Sequence, residues 1–90
     1  MTDWLDTYAH ALEGRLGDSG GGLAVPRELR NPLLRLARIV AHSSERKNAP
    51  LATYVAARYV ARRAAEGVDH ARAVEEAVAV AEEVSAGAPG

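Results

Sequence analysis

The chain has 90 residues, 12 acidic and 11 basic, giving a formal net charge of −1, and it contains no cysteine. That length makes one small domain; the missing thiols exclude disulfide scaffolds and thiolate metal sites, and near-neutrality argues against a dedicated nucleic-acid binder. Hydrophobic residues make up 48% of the chain and 19 of them are alanine, a composition that suits closely packed helices and fits a sheet badly.

The first helix is expected from about Asp3 to Leu16, with Thr2 as its cap, Asp3 and Asp6 in its first turn and Gly17 as its stop. Leu5, Tyr8, Ala9, Leu12 and Leu16 recur at helical spacing and are expected on its buried face. The run from Gly17 to Gly22 follows no strand and carries no lysine, so it reads as a flexible linker and not as a phosphate-binding loop.

The second helix is expected to open at Asn31-Pro32, a cap followed by a proline in the first helical position, after a short turn at Pro26–Arg30. Leu33, Leu36, Ala37, Val40 and Ser44 form its inward stripe, widened by Leu34, Ile39 and Ala41. A third helix runs from Asn48-Ala49-Pro50 to Gly67. Its pattern offers two faces, one with Leu51, Tyr54 and Val55 and another with Val60 and Ala64. The fourth starts at Asp69 and runs to about Ser85, with Val74, Ala77, Val78, Ala81 and Val84 inward and Glu75, Glu76, Glu82 and Glu83 in water.

Short connections imply antiparallel neighbours, so the expected fold is all-α, a compact and mostly antiparallel four-helix bundle over residues 1–86, with 87–90 as a tail. The acidic N-terminus does not read as a signal peptide and no window approaches ~18 apolar residues, so a cytoplasmic location without a membrane span is expected. The few large apolar residues make a thin core, and small domains of this kind often gain stability by pairing, which makes a homodimer a second expectation.

The near-zero charge is partitioned. Residues 27–63 hold Arg27, Arg30, Arg35, Arg38, Arg46, Lys47, Arg58, Arg62 and Arg63 against Glu28 and Glu45, while both flanking stretches are acidic. The simplest account is that acidic outer helices answer basic inner ones. A sharper one is a strip of Arg35, Arg38, His42 and Arg46 on one side of the second helix, brought together by its ~100° rotation per residue. Like charges so placed call for an anion or an acidic partner. The acidic ends oppose a broad contact with duplex DNA or RNA.

His42-Ser43-Ser44-Glu45-Arg46 is the densest group of reactive side chains, one helical turn separating His42 from Glu45 and Arg46. A hydrogen-bonded knot closing the turn to the third helix explains it better than a general base, because no third catalytic group follows. His10, His42 and His70 have no metal-ligand spacing, so neither a metal nor another cofactor is implied.

The segment Leu33–Val55, with Leu36-Ala37-Arg38, Ala41-His42, Glu45-Arg46 and Ala49-Pro50-Leu51 in order after an early Trp4-Leu5, resembles a small all-helical bacterial domain family of unknown function. Members of that family stand alone or are fused to molybdenum cofactor guanylyltransferase-like domains. The resemblance implies a non-catalytic accessory or interaction domain beside a nucleotidyltransferase-like protein. Arg35, Arg38, His42, Glu45 and Arg46 are then the expected binding residues for that partner or for a phosphate-bearing ligand.

Overall fold

The computed structural model describes residues 4–17 and 22–87. Four helices follow one another among the described residues: α1 (Trp4–Arg15), α2 (Arg27–Ser43), α3 (Asn48–Ala65) and α4 (His70–Gly87). No strand occurs among the described residues, and the fold is an all-α four-helix bundle. The expected cap at Thr2, the first-turn Asp3 and most of the glycine-rich linker lie outside the described residues.

Backbone chemistry sets the boundaries. α2 begins at Arg27, not at Asn31, because Pro26 already fixes the entry and its carbonyl accepts the Leu29 N–H at 3.0 Å. Pro32 therefore lies inside the helix, where it forgoes a single backbone bond, to the Glu28 carbonyl. At the other end Ser44 turns to extended backbone (φ −146°, ψ −153°), so Glu45 and Arg46 belong to the following turn and not to the helix. α3 stops where expected. Gly67 takes a positive φ of 91°, its N–H reaches the Ala64 carbonyl and the Val68 N–H reaches the Arg63 carbonyl, which together satisfy two of the last orphan carbonyls. α4 opens after Asp69, whose carbonyl accepts from Ala73, and its last residue is Gly87, the first of the expected tail.

α2, α3 and α4 pack mutually, with the short turns between them making α3 antiparallel to both of the others. Their shared core is Leu29 and Leu36 from α2, Ala56 and Val60 from α3, and Ala73, Val74 and Val78 from α4. Ala73 is completely buried. The two-faced pattern of α3 resolves in favour of the Val60 side, and Leu51, Tyr54 and Val55 face outward. α1 rides on the edge of this trio. Ala9 is buried, Asp6 pairs with Arg30 at 3.6 Å, and the Glu13 carboxylate accepts the Leu23 backbone N–H at 3.1 Å. Its expected inward face is otherwise wrong: Leu5, Tyr8, Leu12 and Leu16 remain exposed, because α1 docks through the Ala9–Glu13 side instead. Val84 of α4 and Leu34 of α2 are likewise exposed.

This division predicts unequal costs for similar truncations. Leu36→Ala is expected to lower unfolding free energy by about 2–5 kcal/mol, and the exposed Leu51→Ala to stay within ~0.5 kcal/mol of wild type, as measured by urea denaturation.

Candidate functional site

The five residues singled out from sequence do not form one strip. Arg35 leans onto α4, where its guanidinium donates to Glu82 at 3.0 Å. Arg38 and His42 stand exposed on α2 with no partner among the described residues. Arg46, displaced from the helix by the extended Ser44, points from the turn, and Glu45 pairs with Lys47 at 3.4 Å instead of orienting His42. The knot at this turn has other members. Ser43 Oγ donates to the Ile39 carbonyl at 2.7 Å, Asn48 Nδ2 donates to Ser44 Oγ, and Thr53 Oγ1 donates to its own helix at the Ala49 carbonyl. What survives of the strip is a set of three unpaired cationic or titratable groups, Arg38, His42 and Arg46, around the end of α2.

A different feature dominates the surface. The outward faces of α3 and α4 diverge over α2 and leave an apolar groove of about 650 Å³. Leu36 and Val40 of α2 make its floor, Ala52, Val55 and Tyr59 of α3 one wall, and Ala77, Val80, Ala81 and Val84 of α4 the other. Ser43, Ser44, Asn48 and Ser85 supply the polar groups at one end. Val55 and Val84 are 65% and 67% exposed. Apolar side chains concentrated in one concavity mark a binding surface, and the shape fits the apolar face of a helix.

A polar clamp ties α3 to α4 at the Tyr59 level of the groove. Arg63 of α3 donates to Glu76 of α4 through Nε at 3.0 Å and Nη2 at 3.2 Å, a bidentate pair, and the Tyr59 hydroxyl donates to the same carboxylate at 2.7 Å. Arg63 also reaches Glu66 at 2.6 Å. The Arg63 guanidinium, with help from the Tyr59 hydroxyl, holds the Glu76 carboxyl down to about 2. The hydrogen bond to Glu76 raises Tyr59, since ionising its hydroxyl removes the donor beside an anion, and Arg63 opposes this only in part. Sequence reasoning placed Glu76 in water and missed this clamp. Its trace was Tyr59 and Arg63 standing four residues apart, a spacing that aligns two donors on one helix.

Residues 1–89 match the sequence profile of the family described as Domain of unknown function (DUF6457), and the chain belongs to that family. No curated protein and no solved structure matches it. No helix among the described residues is long and apolar enough to cross a membrane.

Because Glu76 is held below the ordinary carboxylate range when folded, its contribution is present above that range and is lost as the pH falls toward 2. Thermal melts between about pH 5 and pH 3 are expected to drop more steeply for wild type than for Glu76→Gln, which carries no titrating group there. Parallel curves would contradict the clamp.

Proposed function

Taking the chain as a member of this family, we propose that it is a non-catalytic accessory domain that works by docking a protein. The apolar groove carries this reading, since large hydrophobic side chains held at the surface by a rigid scaffold are the means by which small helical domains engage other chains. The resemblance noted from the Leu33–Val55 segment supplies the candidate partner, a nucleotidyltransferase-like protein of molybdenum cofactor guanylylation. Arg38, His42 and Arg46 support an acidic contact on that partner: all three are exposed, and Arg46 lies in the turn whose Ser44 and Asn48 edge the groove. Exposed charges of this kind govern association rate and orientation, and the apolar contact supplies most of the affinity.

Titration calorimetry against a molybdenum cofactor guanylyltransferase tests the proposal, with GTP and molybdopterin as separate phosphate-bearing arms. Saturable binding to the enzyme is expected, weakened about tenfold or more by Val55→Asp or Val84→Asp and made less salt-sensitive by Arg38→Glu with Arg46→Glu. No heat in any arm, from variants and wild type that melt alike, contradicts it.

A further inference from the structure

The groove and the outward stripe of α1 are both exposed apolar surfaces among the described residues, and they match. We infer that the occupant of the groove is a second copy of this chain, entering with the α1 stripe. The inference rests on the reading of the groove as a docking surface and names what fills it when the enzyme is absent, the dimer and the enzyme complex being mutually exclusive.

The stripe is formed by Trp4, Tyr8 and Leu12, one per turn, at 70%, 51% and 41% exposure. Trp4 and Tyr8 stack at 5.4 Å and present one continuous aromatic surface. α1 turns a different side, with Ala9 and Glu13, to its own chain, so offering the stripe requires no local unfolding. The lengths agree. From Trp4 to Leu12 the stripe spans about 12 Å, and the α3 wall from Ala52 to Tyr59 about 10 Å, at 1.5 Å per residue.

Charge agrees as well. Arg15 lies about 20° from Trp4 around α1 and has no partner among the described residues. Glu83 lies about 60° from Val80 around α4, on the lip of the groove, and is likewise unpaired. A stripe laid in the groove with its C-terminal end toward Val84 brings these two together.

In a two-fold arrangement the stripe of each copy fills the groove of the other, and neither is left exposed.

Analytical ultracentrifugation of the whole chain reads this directly. Wild type is expected to move from monomer to dimer with rising concentration. Leu12→Asp on the stripe and Val84→Asp in the groove are each expected to leave it monomeric at every concentration, with helical circular dichroism retained. Arg15→Glu and Glu83→Arg are expected to weaken the dimer singly and to restore it when combined. In this cysteine-free chain, Leu12→Cys with Val84→Cys is expected to oxidise to a species of twice the chain mass on a non-reducing gel.

A wild type that stays monomeric overturns the inference, as does a dimer indifferent to both aspartates, or a disulfide closing within one chain. A monomer that still binds the guanylyltransferase through Val55 and Val84 overturns the second copy as occupant and leaves the docking reading standing. A stripe-dependent dimer with no affinity for that enzyme supports the second copy and removes only the named partner.

Discussion

Small side chains at the centre of the α2–α4 trio decide what the rest of the surface looks like. Ala56 and Ala73 sit where larger residues fill the cores of other bundles, and around them the buried set is completed by valines and two leucines. Helices meeting on alanine approach closely and bury little apolar area per residue. Other apolar residues of α3 and α4, Val55, Val80 and Val84 among them, are left on the diverging outer faces. The groove is the consequence of a core built from small residues, and its walls are as rigid as that core.

The Tyr59–Glu76–Arg63 clamp works at the same junction from the polar side. It ties α3 to α4 at one level and leaves the stretch beyond it, toward Val55 and Val84, without a cross-link. The bidentate geometry fixes the relative register of the two helices more than it adds stability, because the groups remain partly in water. A register fixed in this way keeps Val55 of one helix and Val80 of the other on the same groove.

Much of this architecture was legible in the sequence. Gly67 and Asp69 placed the α3–α4 turn correctly because positive φ and capping are local demands that a residue type announces. Pro32 misled because proline is tolerated in the first turns of a helix as well as at its first position, and Pro26 had already started α2. The failure at Glu45 and Arg46 has a different origin. Periodicity carries a helix onward until something stops it, and Ser44 leaving in an extended conformation has no signature that distinguishes it from a serine in mid-helix. The exposed stripe of α1 was the hardest to foresee. A helical apolar pattern says that a face is to be buried and does not say against which chain, so Leu5, Tyr8 and Leu12 read as core when they form surface. The two competing faces of α3 were the same message in another form: one face serves the core, and of the other Val55 lines the groove while Leu51 and Tyr54 stay exposed.

Trp4 allows the central claim to be tested without altering the protein, because it is the single tryptophan of the chain and the leading residue of the α1 stripe. Its fluorescence, followed as the chain is concentrated, is predicted to shift from the red emission of a hydrated indole to the blue emission of a buried one, in step with dimer formation. An emission that stays red from the lowest to the highest concentration would contradict the account, since a stripe lying in the groove of a second copy cannot keep its indole in water.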